Sequence, residues 1–108
     1  IVDPERKSEF YLLQSDKYLS AVQSLLDKNQ TDKAKLVLSQ SSEKMSMAVA
    51  QLSVVKTNGK QVPAGSIDRL SKAIEKHLEI IQEISSKIDV AQVTSASQKA
   101  EEEVTKLK

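Results

Sequence analysis

The residue pattern that most constrains the fold lies in the middle of the chain, where small and apolar residues recur at alternating steps of four and three. The series comprises Ala34, Leu38, Ser41, Met45, Ala48, Leu52 and Val55. Steps of three and four residues return to the same side of an α-helix, so the pattern predicts a helix over residues 32–57 with one continuous packing face. Such a face needs partner helices, which favours a helical bundle.

Helical patterns also flank this segment on both sides. At the start, Asp3 is a predicted N-cap, Pro4 suits the first helical position, and an apolar stripe continues to about residue 29. A short polar turn follows, in which Thr31 or Asp32 is the predicted cap of the next helix. These signals predict two antiparallel helices, 4–29 and 32–57.

The third predicted helix covers residues 66–90. Asn58 and Gly59 can adopt left-handed backbone conformations, Pro63 and Gly65 continue the loop, and Ser66 is the predicted cap. The packing face that follows comprises Ile67, Leu70, Ile74, His77, Ile81, Ile84, Ile88 and Ala91.

The fold class follows from these segments and from the scarcity of turn-forming residues. Two glycines and two prolines in 108 residues are too few for an all-β chain, whereas the remaining composition favours helix. We therefore predict an all-α, single-domain, antiparallel three-helix bundle spanning residues 1–108. Its predicted core comprises Leu12, Leu19, Val22, Leu26, Leu38, Met45, Leu52, Leu70, Ile74, Ile81 and Ile84.

The C-terminal segment follows a different helical frame. Its apolar positions, which include Val93, Ala100, Val104 and Leu107, are displaced by two residues from those of the third helix, and this turns the stripe by about 200°. Either the chain breaks near residues 89–97, or the helix continues and offers its tail to another partner. We favour a break and a separate helical tail over 95–107, with Ser95 and Gln98 as a capping box. The four named apolar residues form the predicted interaction surface, for a protein partner or self-association.

Composition and motifs argue against several classes of function. The 16 basic and 15 acidic residues give a formal net charge of only +1, too little to hold nucleic acid, and the absence of cysteine excludes thiol chemistry. Gly59 and Gly65 cannot build a phosphate-binding loop, and the serines lack a nucleophile elbow. We expect no enzyme activity, no cofactor, no metal, no small-molecule ligand and no membrane insertion by this segment itself.

His77 is the only histidine in the chain, and two interpretations of it are possible. A carboxylate-bundle metal site would need a glutamate three residues earlier, where the chain has Ile74. His77 also falls on the apolar face of the third predicted helix. The structural interpretation, a histidine at the core or its boundary, is therefore favoured over a metal-binding or acid–base role.

The first half of the chain resembles an uncharacterised family of bacterial, extracytoplasmic, membrane-anchored helical domains. The resemblance covers residues 3–55 and rests on the helix start Asp3-Pro4-Glu5, the leucine-rich first helix and the polar turn over residues 27–34. It implies a membrane anchor upstream and a soluble part facing outward, and it carries over no catalytic residue. The chain, which begins with Ile1 and not Met, would then be a soluble fragment of a longer protein.

Two functions are consistent with these observations. The first is a non-catalytic extracytoplasmic module of a membrane-anchored bacterial protein, acting as a spacer, a sensor or a protein-interaction domain in the cell envelope. The alternative is a cytoplasmic scaffold or regulator that presents a groove between its helices to a partner's amphipathic helix.

Overall fold

A computed structural model describes residues 3–108 as four α-helices, with no strand among them. The helices are α1 (Pro4–Asp27), α2 (Thr31–Thr57), α3 (Ala64–Ile84) and α4 (Ala91–Leu107). The all-α prediction is confirmed, but a three-helix bundle with a tail is not, because the C-terminal segment is a fourth helix of the same bundle. Ile1 and Val2 lie outside the described residues, and so does the expected junction with an upstream membrane anchor.

The predicted bounds of the third helix and the tail are wrong for identifiable reasons. Pro63 precedes α3 in an extended conformation and its carbonyl accepts from the amides of Ser66 and Ile67, so the helix begins before the predicted cap Ser66. It ends at Ile84, and the Oγ of Ser85 donates to a carbonyl of the last turn. Asp89 Oδ1 then accepts from the amide of Ala91, which starts α4 ahead of the predicted capping box.

The turns after α1 and α2 share one geometry. After α2, the Gly59 amide donates to the carbonyl of Lys56 and the Lys60 amide to that of Val55, with Gly59 at φ +78°. This is a Schellman motif, and Asn29, at φ +60°, holds the same position after α1. Gly59 therefore adopts the predicted left-handed conformation, whereas Asn58 at φ −76° does not. Asp3 caps α1 as predicted, but no side chain caps α2.

The two glycines make a matched pair for testing this turn. Gly59→Ala is expected to lower the free energy of unfolding by about 1 to 2 kcal/mol, because a Cβ is unfavourable at positive φ. Gly65 lies in the first turn of α3, where an added Cβ would meet open space, so Gly65→Ala is expected to be neutral or to stabilise by up to about 1 kcal/mol. Chemical denaturation of both variants checks the contrast, and equal effects would contradict it.

The four helices form two antiparallel hairpins that pack side by side, α1 with α2 and α3 with α4. Glu9 lies beside Arg69, and Gln23 lies beside Glu83, so α1 and α3 run parallel. The side chain of Lys56, at the end of α2, donates to the Lys106 carbonyl near the end of α4. The first residues of α1 and the last residues of α4 therefore lie at the same end of a molecule that measures 47 × 26 × 18 Å.

The core consists of two apolar clusters, one toward each end of the bundle. The cluster near the chain ends includes Leu52, Leu70, Ile74 and Val104, and the other includes Leu19, Leu38, Ile81 and Val93. All seven residues of the α2 packing face are buried, as predicted. Of the predicted core, Leu12 and Leu26 are half-buried against the clusters, and the other nine are buried.

Helices α1 and α2 approach closely because small residues lie along their contact. The Ser8 Oγ donates to the Ala48 carbonyl at 2.8 Å, and Ser15 Oγ donates to the Ser41 carbonyl at 2.7 Å. A serine side chain is short, so these bonds require the two backbones to lie close together. One further heptad places Val22 opposite Ala34, and both side chains are fully buried.

Candidate functional site

A layer of polar side chains crosses the middle of the core, between the two apolar clusters. Ser15 from α1 contacts both Ser41 from α2 and His77 from α3, and Ser97 from α4 is also buried, between Val93 of one cluster and Ala100 of the other. Along the packing face of each helix, one apolar residue precedes the polar residue and another follows it. The two lie in different apolar clusters or pack against different ones. Among the described residues, Ser8, which donates to the Ala48 carbonyl, is the one other polar residue that is buried.

Ser15 and Ser41 exchange hydrogen bonds with each other's backbone. Ser15 Oγ donates to the Ser41 carbonyl at 2.7 Å, and Ser41 Oγ donates to the Ser15 carbonyl at 2.8 Å. Each hydroxyl has a single hydrogen, so both donors are used in these bonds. The two Oγ atoms, 3.3 Å apart, then face each other as acceptors only.

This arrangement fixes the proton position on His77. Its Nε2 lies 3.3 Å from Ser15 Oγ, which has no hydrogen left to give. The contact is a hydrogen bond only if Nε2 carries the proton and donates to the serine. The same Nε2 lies 3.6 Å from Asp16 Oδ1, a second acceptor at the edge of the layer. The neutral Nε2–H form of the imidazole therefore satisfies the site.

The electrostatic environment of His77 favours this neutral form. The side chain is 2% exposed, and its burial lowers the pKa of the imidazole below the ordinary 6.5. The charge and hydrogen bond of Asp16 act in the opposite direction, and the positive charge of Lys76 lowers the pKa further. Desolvation is the largest of these effects, so the net shift is downward.

The proton assignment gives a direct spectroscopic prediction. At pH 8, the nitrogen shifts and two-bond proton–nitrogen couplings of His77 are expected to identify the Nε2–H tautomer, because only that form donates to Ser15. In Ser15→Ala, which lacks the acceptor Oγ, the preference for this tautomer is expected to weaken. A His77 ring protonated at Nδ1 alone in the unmodified protein would contradict the assignment.

Serine, histidine and aspartate lie together here, but their geometry differs from that of a nucleophilic triad. In a triad, the serine and the aspartate bind opposite nitrogens of the imidazole. In this layer, Ser15 and Asp16 both approach Nε2, and the Ser15 hydroxyl is buried and donates to a carbonyl. The arrangement can bind helices together and hold one proton at Nε2, and it matches the structural interpretation of His77.

The predicted interaction residues of the tail lie in the core of the described chain. Val93, Ala100, Val104 and Leu107 are all buried, and they join the two apolar clusters. The expectation of an interaction surface assumed that the tail lies outside the core formed by the first three helices. Because the chain reverses at residues 85–90, the stripe packs against α2 and α3.

An open groove follows the contact between the parallel helices α2 and α4. It has two adjoining parts of about 570 and 360 Å³, which share Ser46 and Ala96. Small residues on both helices, such as Ser42 and Ala50 on α2 and Ala96 on α4, leave this space unfilled. Elsewhere on the described surface, the large exposed apolar side chains are Phe10, Leu13, Leu36 and Val54.

Two further features of the described residues bear on function. They contain no cluster of three or more histidine, aspartate or glutamate side chains placed to hold a metal ion. None of the four helices combines the length and the apolar character that a membrane span requires.

No protein-family model, curated protein or solved structure matches the chain.

The sequence pattern placed His77 on the packing face of its helix but did not reveal its partners. The signal in the sequence was that each of the four heptad series has a polar residue, Ser15, Ser41, His77 or Ser97, where the pattern calls for an apolar one. Recognising that these residues share a level requires the order and direction of the helices. The prediction of three helices concealed that relation.

Proposed function

We propose that the chain is a non-catalytic, extracytoplasmic module of a membrane-anchored bacterial protein, and that it acts as a sensor or protein-interaction head. The resemblance of residues 3–55 to membrane-anchored helical domains supports the compartment. The position of the chain ends supports the role of a head, and this is the observation that carries the proposal.

A spacer connects what lies before it to what lies after it, and needs its two ends far apart. In this bundle, α1 begins and α4 ends at the same end, as the contact of Lys56 with the Lys106 carbonyl requires. Segments attached at either end would leave side by side, and the bundle would project up to 47 Å from them. The turn at residues 28–30 and the connection at 85–90 would then lie farthest from the anchor. Among the roles predicted from sequence, the arrangement favours a sensor or a protein-interaction domain over a spacer.

A protein contact through the tail remains part of this proposal, in a more restricted form. Val104 and Leu107 are 3% and 6% exposed, so a partner could reach them only after α4 separates from α2 and α3. Binding through the tail would therefore be coupled to opening of the bundle, and would be weakened by the free energy of that opening.

Thiol labelling in intact cells tests the compartment. The chain has no cysteine, so Lys28→Cys introduces a single reactive group on the exposed distal turn. In the full-length protein, with any other cysteines replaced, a membrane-impermeant maleimide is expected to label the Lys28→Cys variant before lysis. A cytoplasmic protein with an exposed cysteine is the control. Labelling only after lysis would contradict the extracytoplasmic proposal.

The groove between α2 and α4 favours the second candidate, an intracellular scaffold that binds a partner's amphipathic helix. The groove lining on α2 extends from Lys35 to Ser53, a length of about 27 Å, or five helical turns. Its small residues leave room for the backbone of another helix to approach. A helix that places an aliphatic stripe on Ala50 and Ala96 is the occupant that this shape fits.

Filling the groove tests the second candidate. Ser46 is exposed at the junction of the two parts of the groove, and Ser24 is exposed on α1 and outside the groove lining. If the scaffold candidate is right, Ser46→Trp abolishes binding of the partner helix while Ser24→Trp leaves it intact. Equal binding by both variants would exclude the groove as the binding site.

A further inference from the structure

Polar contacts at heptad spacing join α1 to α3. On α1, residues 9, 16 and 23 each face a polar residue of α3. Glu9 binds Arg69 at 3.1 Å, Asp16 lies 3.6 Å from His77, and Gln23 Nε2 donates to Glu83 at 3.4 Å. We call this set of contacts, together with the Ser15–His77 hydrogen bond, the α1–α3 seam.

The middle contact of the seam differs from the other two in burial. Arg69 and Glu9 are more than half exposed, so their ion pair is screened by water and contributes little. His77 is almost fully buried and lies where the two apolar clusters meet. By contrast, α1 is held to α2 by the bonds of Ser8, Ser15 and Ser41 to backbone carbonyls, none of which involves a titratable group.

From this geometry we propose that the α1–α3 seam is an acid-sensitive joint. When His77 acquires a second proton, α1 and α3 separate along the seam, while α1 stays packed on α2. Such a joint is a property of the fold itself and does not depend on the proposed function. In a sensor it would make external acidity the signal.

The physical reason is that protonation adds a charge without adding a partner at the seam. Nε2 already donates to Ser15 in the neutral form, so the second proton must go to Nδ1. Among residues 3–108, the charges that act on it are Asp16 from α1, which is half exposed and favours it, and Lys76 from α3 itself, which opposes it. The residues at this level of α2 and α4 are Ser41 and Ser97, which carry no charge. A buried imidazolium would therefore be poorly compensated.

The pH dependence follows from linkage. Burial lowers the pKa of His77 in the closed bundle below 6.5, whereas in an opened or unfolded chain the imidazole returns to about 6.5. The closed state then binds fewer protons than the open state. Its stability is fully present above about pH 7.5 and declines as the pH falls through 6.5 toward the pKa of the closed state.

Unfolding measurements test the sign of this dependence. Between pH 8 and 5.5, the free energy of unfolding is expected to fall. The number of protons that His77 takes up on unfolding is expected to rise over this range from zero to at most one. His77→Gln keeps an Nε2–H donor without a titratable group, and is expected to remove this component. Asp16→Asn removes the favourable carboxylate, and is expected to make the fall steeper. Stability that rises on acidification would overturn the proposal.

Distance measurements test where the bundle opens. The chain without cysteine accepts spin labels at Ser24 and Glu79 across the seam, and at Ser24 and Ser39 within the first hairpin, all at exposed positions. On lowering the pH from 8 to 5, a longer distance is expected to appear for the first pair only, and not in the His77→Gln background. An unchanged first pair would overturn the joint. A change in both pairs would also overturn it, because it would mean general unfolding.

Discussion

Ala48→Leu is expected to lower the free energy of unfolding by about 3 kcal/mol, although it replaces one apolar residue with a larger one. Ala48 is fully buried on α2, and its carbonyl accepts a hydrogen bond from Ser8 of α1. Three additional carbons at this position must push α1 away, which breaks that bond and disturbs the neighbouring contact of Ser15 with Ser41. Urea denaturation with equal slopes for the two proteins measures the loss.

The matched control is Ala50→Leu, two residues further along the same helix. Ala50 is exposed, so the same change in side chain is expected to alter stability by about 0.5 kcal/mol or less. A similar small effect at Ala48 would mean that α1 and α2 can separate without cost. The close approach described for these helices would then be wrong.

Val104→Lys is expected to have a still larger effect, a loss of about 4 kcal/mol or more. Val104 is 3% exposed in the cluster shared by α2, α3 and α4. The substitution removes buried apolar surface and introduces an ammonium group that has no acidic partner in the cluster. Helix content and thermal unfolding of the purified chain report whether α4 remains in place.

Thr105→Lys provides the comparison, since Thr105 is the next residue and is exposed. It adds the same charge to the same turn, and is expected to change stability by about 0.5 kcal/mol or less. If Val104→Lys were equally mild, α4 would be a tail outside the core, as in the sequence-based prediction of a three-helix bundle. A severe effect on folding also means that this variant cannot report on partner binding by itself.

The heptad pattern of α2 could be converted directly into structure because it is continuous over seven positions. Each of those residues, from Ala34 to Val55, is buried. Helix existence was predictable for the same reason in the other segments, since hydrophobic periodicity is a local property of the chain. Helix ends depend on single hydrogen bonds, such as those to Pro63 and Asp89, and these were predicted less well.

The position of α4 could not be derived from periodicity alone. The displaced frame of Val93 and Val104 separates their stripe from the preceding one, but two geometries are consistent with that displacement. A straight continuation leaves the stripe unpartnered, whereas a reversal returns it to the core. Ser85 and Asp89 favour the reversal through local hydrogen bonds. The packing that stabilises it involves residues far away in the sequence.

The polar layer was hidden for a related reason. Ser15, Ser41 and Ser97 are ordinary in a local view, where serine is usual on helix surfaces. Their common level becomes visible only when α1 and α3 are parallel and α2 and α4 run the opposite way. The prediction of His77 as a core histidine needed no such knowledge, because its position on an apolar stripe is enough.

The distance between the two ends of the chain tests the central claim most directly. Spin labels at Arg6 and Lys108, both exposed, are expected to lie within the 26 Å cross-section of the bundle plus the reach of the labels. A pair at Arg6 and Lys28, separated by about 33 Å of α1, calibrates the length of the molecule. A distance between Arg6 and Lys108 close to the 47 Å long axis would contradict the four-helix arrangement with both ends together, and would favour the role of a spacer.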